Sequence, residues 1–345
     1  MKKGEGKMPR IRKARVTLRD IAEDTGYSIT AVSHALNDRS DISPAAKEKI
    51  MESASRLGYI VNRAAASLQS GKTKIIAVIV GDTANPHFAF MTKIIENLLR
   101  NAGYFSFFMN TDENEAIERQ CLMLAAQQNV DGIIWCPVQS STKNLQFLEG
   151  TRIPFVLIGR YFPHHSTNYV TLDDTKSGRL VAEHLIEKGI YKTIYIDTAQ
   201  QNSSSRERYG GFISAYRDCL RPFQNEVVYF DTEGDYFRQM ITEDGIWKAD
   251  AFVAYNDVIA WDVITRTRAH YKPRSPLSIA GFDNLHSFLP LPFPLTSVSS
   301  SKVAMPHRAV DILLRQIDHP DTPLSHLTLD VQLIDRHSIY AVGDP

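Results

Sequence analysis

From residue 75 onward the chain repeats one pattern, a short apolar run without polar alternation followed by an amphipathic stretch of helical period. The runs cover 75–80, 104–109, 132–136, 155–158, 193–197, 227–230, 251–255 and 278–282, with a last one near 331–334. Helices between them start near Phe88, Asn114, Thr175, Arg206, Asp235 and Val258. A strand that is apolar on both faces is buried on both, which predicts parallel, doubly wound sheets with helices on either side. Roughly nine strands suit two such sheets better than one. Ligands of such sheets sit at the carboxyl ends of the strands.

Composition excludes several classes. The chain has 345 residues, 43% hydrophobic and 23% charged, which is ordinary for a globular protein and rules out wholesale disorder and fibrous folds. Cys121, Cys136 and Cys219 are widely spaced, so neither a disulfide framework nor a structural zinc is expected, and a reducing cytoplasm fits best. The first fifteen residues lack the apolar core of a secretion signal, and the longest apolar run, 75–80, is far short of a membrane span. The zero net charge hides an asymmetry: residues 1–74 carry +7 and the remainder −7. A basic head on an acidic body points to a polyanionic partner for the head. No Trp- or Phe-bearing apolar helical face accompanies that charge, which disfavours a membrane surface.

The head reads as a basic arm over 1–16 and three short helices. Thr17 caps the first, with Asp20 in the capping-box position, and Gly26 ends it. Ser28 caps the second, over 29–37, with Val32 and Leu36 turned inward. Ser43-Pro44 opens the third, whose buried stripe is Ile50, Ala54 and Leu57. Two helices joined by a tight glycine turn form a helix-turn-helix pattern. A helix in the major groove offers base edges the residues at its start and one turn on, here Ile29, Thr30 and His34. Ile29 suits a thymine methyl, Thr30 donates or accepts, and His34 can meet a purine N7 or a phosphate or remain a solvated side chain. Thr17, Ser28, Ser33 and Asn37 serve as phosphate-positioning or capping groups.

Asp20-Ile21-Ala22, Gly26-x-Ser28, Thr30-x-Val32-Ser33, Leu36-Asn37, Leu57-Gly58-Tyr59, Asn62, Ala65-x-x-Leu68 and Gly71 occur in an order that resembles the lactose/galactose repressor (LacI/GalR) family. The resemblance runs on to about Asp335, through Asp82-x-x-Asn85-Pro86-x-Phe88, Asp131-Gly132-Ile133-Ile134, Arg160, Asp173 with Gly178, Arg208-x-x-Gly211-Phe212, Asn256-Asp257 and Gly281-Phe282-Asp283. It implies an α/β protein: a helix-turn-helix head over 17–61, a hinge helix and linker over 62–74, and an effector-binding and dimerisation body over 75–345. The body would comprise two subdomains of periplasmic-binding-protein type, about 75–171 with 299–328 and about 172–298 with 329–345, joined by three crossovers. By the same resemblance the hinge helix pairs with its twin on DNA, Asn62 and Ala65 lie against the duplex, and Leu68 enters the minor groove between central base steps. The sequence departs from the family at His34 and Ala66, where Arg is common, and at Val61, where Pro is usual.

Read without the family, Asp82, Arg160, Asn256 and Asp283 each follow the carboxyl end of an apolar run, where loops converge on one crevice. Arg208 can clamp a carboxylate or paired hydroxyls, and His87 and Phe88 can supply an aromatic wall, Phe88 being equally a core residue. Such a set suits a polyol, a nucleobase or a small acid. Arg208→Ala or Asp283→Ala is expected to abolish the response to effector while leaving the fold intact. Asp173 and Asp257 read equally as helix caps. No catalytic motif stands beside this set. A dinucleotide G-x-G-x-x-G, a G-x-S-x-G elbow and an H-E-x-x-H pair are missing, and Gly71-Lys72-Thr73 would need a glycine at Ala66 to make a phosphate loop. His164-His165 stands in a polar loop, and the adjacent Asp173-Asp174 point apart on an extended chain.

The expectation is a non-enzymatic, cofactor-free and metal-free DNA-binding repressor of the bacterial cytoplasm and nucleoid, controlled by a small molecule such as a sugar. It would bind a pseudo-palindromic duplex operator as a homodimer, with no membrane partner. The alternatives are a soluble sugar-binding receptor without regulation and an enzyme on the same fold.

Overall fold

The computed structural model describes residues 16–37, 39, 41–60, 71–199, 202–269, 273 and 276–341. Two compact units emerge, Met1–Thr73 and Lys74–Pro345. In the first, α1 (Leu18–Thr25), α2 (Ile29–Leu36) and α3 (Pro44–Leu57) enclose a small core of Ile21, Val32, Ala35, Ile50 and Ala54. The capping box closes as the sequence dictates: Thr17 N–H donates to Asp20 Oδ2 at 2.7 Å and Asp20 N–H to Thr17 Oγ1 at 3.4 Å. Ser28 and Ser43 cap α2 and α3 by accepting from Ala31 and Ala46 N–H. Each buried Ile or Val contributes about 1.5–3 kcal/mol, so a core this small leans on its caps.

The second unit holds β1 (Ile75–Val80), α4 (Pro86–Asn101), β2 (Phe105–Asn110), α5 (Glu115–Gln127), β3 (Gly132–Trp135), α6 (Lys143–Glu149), β4 (Phe155–Ile158) and β5 (Tyr169–Leu172). It continues with α7 (Asp174–Glu187), β6 (Lys192–Thr198), α8 (Ser203–Asp218), β7 (Gln224–Phe230), α9 (Phe237–Met240), β8 (Ala251–Ala254), α10 (Asp257–Ala269), β9 (Ile279–Phe282) and β10 (Thr296–Ser299), and closes with α11 (Ala304–Asp318), β11 (His326–Leu329) and β12 (Gln332–Ile334). The strands form two six-stranded sheets, ordered β11-β5-β4-β3-β1-β2 and β12-β10-β9-β8-β6-β7. The chain passes between the sheets after β5, β10 and β11.

The apolar runs are buried on both faces because each sheet is sandwiched. In β1, Ile76, Val78 and Val80 pack with α4 and α11, while Ala77 and Ile79 pack with α5 and α6. The second sheet lies between α7 with α8 and α9 with α10. Helices α7 and α8 approach so closely that a Cβ on Gly178 would collide with the Arg208 carbonyl, and one on Gly211 with that of Thr175. Only glycine permits that approach.

The sequence reading needs three corrections. The sheets are not wholly parallel: β12 runs antiparallel to β10. Twelve strands form among the described residues rather than about nine; β5, β10 and β11 are the unforeseen ones, as are helices α6 and α11. β10 hides because it reads Thr-Ser-Val-Ser, yet it is fully buried. Its hydroxyls bond to Asp335 and Asp257, which lets a polar strand lie in the interior. The helix expected near Asp235 shrinks to a single turn, α9.

Candidate functional site

The head presents α2 with Ile29 45% exposed and Thr30 exposed beside it, while Val32 and Ala35 on the opposite face are buried. Thr17 and Ser28 are exposed N-caps. Asn37 ends α2, its amide nitrogen donating to the Ser33 carbonyl at 2.8 Å. Asp41 engages His34, with 2.7 Å between Nδ1 and the carboxylate. The carboxylate only accepts, so Nδ1 carries the proton and Nε2 of the neutral ring is an acceptor. The hinge residues Asn62, Ala65 and Leu68 lie outside the described residues.

In the body a cavity of about 520 Å³ lies at the carboxyl ends of strands from both sheets. It falls within the usual range for small-ligand sites. Asp82, His87, Phe88 and Arg160 come to it from the first sheet's side, and Arg208, Asn256 and Asp283 from the second. All seven residues singled out for an effector thus share one cleft. Phe88 serves both roles allowed to it, packing against the first sheet's core and lining the cavity. Of the two possible caps, Asp173 caps α7 by accepting from Lys176 N–H at 2.8 Å. Asp257 instead accepts from Leu285 N–H and Ser297 Oγ, and burial pushes its carboxyl up to about 7, reinforced by nearby Asp283.

Arg208 is the most constrained of the set. It is 7% exposed, its Nε donates to Asp174 Oδ1 at 2.7 Å, Nη1 donates to the Tyr255 carbonyl at 2.8 Å, and Nη2 lies 3.8 Å from Asp283. Burial opposes its charge, but Asp174 and Asp283 outweigh that and hold it cationic. It is therefore a buried ion-pair member as well as a cleft residue, which contradicts the expectation that Arg208→Ala leaves the fold intact. Burial lowers the His87 imidazole below its ordinary value, and Lys302 and Arg208 lower it further against the pull of Asp283.

Sequence reasoning missed Glu113, Asp174, Asn202, Ser204, Phe230 and Tyr255, which also line the cavity. Phe230 and Tyr255 were legible, since both stand at carboxyl ends of strands. Adjacency to Asp173 hides Asp174 in the sequence, but the helix they open turns Asp173 to the backbone and Asp174 to Arg208. No helix among the described residues is long and apolar enough to cross a membrane, and no cluster of three potential metal ligands occurs among them.

Comparison with known proteins finds matches for both units. Residues 17–62 match the family model described as bacterial regulatory proteins, lacI family, and residues 182–339 match a periplasmic binding protein-like domain. The chain thus pairs a lacI-family regulatory head with a periplasmic-binding-protein-like body. It is 26% identical to an HTH-type transcriptional repressor, PurR, of Mannheimia succiniciproducens, over 95% of this chain and 99% of that one. The fold resembles that of the lac repressor dimer bound to operator and an anti-inducer, with a TM-score of 0.79, 21% identity, and coverage of 95% of this chain and 100% of the other. A LacI family regulator of Enterococcus faecalis with bound ribose is 27% identical, with a TM-score of 0.67 over 77% of this chain and 99% of its own.

Proposed function

We propose that this chain is a transcriptional repressor whose grip on duplex operator DNA is set by a small molecule bound in the cleft between its two sheets. The observation that carries the reading is the pairing, in one chain, of a lacI-type head with a cavity where seven polar and aromatic residues converge from both sheets. Ile29, Thr30 and His34 face base edges; Thr17, Ser28, Ser33 and Asn37 position the head on phosphates; Asn62, Ala65 and Leu68 act from the hinge. With Nδ1 held by Asp41, Nε2 is the atom His34 offers to a base, and on a neutral ring it accepts from an amino group, cytosine N4 or adenine N6. A purine N7 is itself an acceptor, so it suits only the protonated ring.

In the cleft, Asp82, His87, Phe88, Arg160, Arg208, Asn256 and Asp283 receive a sugar or related metabolite. An effector that binds one angle between the two sheets better than another shifts the population and, through the segment over 62–74, the operator affinity. The family's solved relatives include a dimer on operator and a ribose complex, which supports a homodimer on a pseudo-palindromic site and a sugar-like effector. By resemblance to the family, the first-subdomain surface that includes α4 forms the dimer face; it adjoins the edge strand β2, where Phe105 is 54% exposed. The protein acts in the bacterial cytoplasm.

A mobility-shift assay tests this with promoter fragments recovered by genomic selection, each against scrambled competitor and with a panel of sugars. Retention of one fragment over competitor, altered by at least one sugar, is the expected result. Equal retention of all fragments under every condition refutes it.

A further inference from the structure

The cleft contains two guanidinium groups, and both are already neutralised. Arg160 donates from Nη1 and Nη2 to the two carboxylate oxygens of Glu113 at 2.7 and 2.8 Å, and from Nη1 to the Pro137 carbonyl at 3.0 Å. Arg208 is taken up by Asp174 and the Tyr255 carbonyl. Two further carboxylates, Asp82 and Asp283, stand on the cavity wall. The nearby Lys302 ammonium is turned onto the Asp283 carbonyl. Among the described residues the lining thus sets four carboxyl side chains against two guanidiniums.

Glu113 reaches Arg160 by an uncommon route. Asp112 and Glu113 lie consecutively in the left-handed region, at φ +50° and +52°, although neither is glycine. The loop is pinned by the Glu113 N–H, which donates to the Gly81 carbonyl at 3.1 Å. The carboxylate fills the space above Gly81, where any Cβ would collide with it. Two strained residues and a bare glycine therefore cooperate to place one carboxylate on an arginine at the cavity wall.

We infer that Glu113 is a specificity determinant of the cleft: by occupying Arg160 it restricts the effector to an uncharged, hydroxyl-bearing molecule and rejects phosphate esters and carboxylates. The inference rests on the reading of the cleft as the effector site. An anion at Arg160 must displace Glu113 from both bonds and leave that carboxylate unpaired, or else sit beside Asp82 and Asp283 at like charge. A neutral hydroxyl donates to those same carboxylates and disturbs no ion pair.

Calorimetric titration of the full chain and of Glu113→Gln provides the test. The probes are ribose and ribose 5-phosphate, fructose and fructose 1-phosphate, and inorganic phosphate, all at matched ionic strength. The unmodified chain should bind no phosphate-bearing probe more tightly than the matching sugar. Glu113→Gln should bind at least one phosphate ester at least tenfold more tightly than the unmodified chain does, and adding Arg160→Met should remove that gain. A phosphate ester that binds the unmodified chain better than its sugar overturns the inference while keeping the cleft as an effector site; so does a folded Glu113→Gln protein without the gain. If Glu113→Gln does not fold, the unmodified chain's ranking of each sugar against its phosphate decides. Asn256→Ala separates the two levels: probe binding that this change leaves untouched places the ligand elsewhere and overturns the cleft reading together with the inference.

Discussion

Arg208 Nε donates to Asp174 Oδ1 at 2.7 Å across the α7–α8 contact, with both side chains buried. Removing one member of such a pair strands the other charge in the interior. Arg208→Ala should lower the unfolding free energy by about 3–5 kcal/mol, measured by urea denaturation. Replacing both residues by apolar ones should recover most of that loss, since the desolvation penalty disappears with the pair. An Arg208→Ala protein with an unchanged urea midpoint would show that the pair contributes nothing. A loss of effector response in this variant must accordingly be read at a temperature where it is still folded.

Glu118 is another buried carboxyl, outside the cavity lining but close enough to Arg160 to feel its charge. It accepts from Trp135 Nε1 at 2.7 Å, from Val138 N–H at 2.6 Å and from Asn144 Nδ2 at 2.7 Å. Burial nonetheless pushes it up to about 7. The folded chain therefore holds this proton more tightly than the unfolded chain does. Its stabilising effect is complete below about pH 4.5, fades as the pH rises towards 7 and is gone above it, a change on the order of 3 kcal/mol. Glu118→Gln should remove that part of the pH dependence. Chemical denaturation of both proteins at pH 5 and 7.5 checks it, and parallel pH profiles would contradict the assignment.

Operator affinity should fall by about a thousandfold or more between 50 and 200 mM salt, if about six or more phosphates are neutralised by the dimer. Fluorescence anisotropy across that range measures the slope. A flat response would remove the basic head from the interface.

Leu68→Ala should weaken binding to the selected operator by about a few kcal/mol, because the unstacked base step loses its wedge. Binding to random duplex should hardly change. An equal loss on both duplexes would argue against Leu68 entering the minor groove.

Asp41→Ala releases His34 Nδ1 and lets either ring nitrogen carry the proton. The expected outcome is relaxed discrimination at one base pair of each half-site, worth about 1–3 kcal/mol. Sequencing of duplexes selected by the two proteins would display it. Identical selected motifs would place His34 away from the bases.

Much of this architecture was legible because burial on both faces leaves an unambiguous mark. The runs at 75–80 and 155–158 coincide with β1 and β4 in full, and the strand-end rule led to Asp82, Arg160, Asn256 and Asp283. Apolar patterning is silent where polar groups find partners inside. Thr296 and Ser297 look like loop residues until Asp335, Asp257 and Ser338 are brought to them from distant parts of the chain. Glu113 was invisible for a similar reason: nothing local to β2 announces that the following loop will turn left-handed and deliver a carboxylate to Arg160.

The order of the last elements has a consequence for biosynthesis. Helix α11 supplies Met305, Ala309, Val310, Ile312 and Leu313 to the core of the first sheet, β11 forms one edge of that sheet, and β12 forms one edge of the second. A ribosome must therefore have translated most of the chain before either half of the body can seal. The head, which draws its whole core from residues before 60, is free to form long before that.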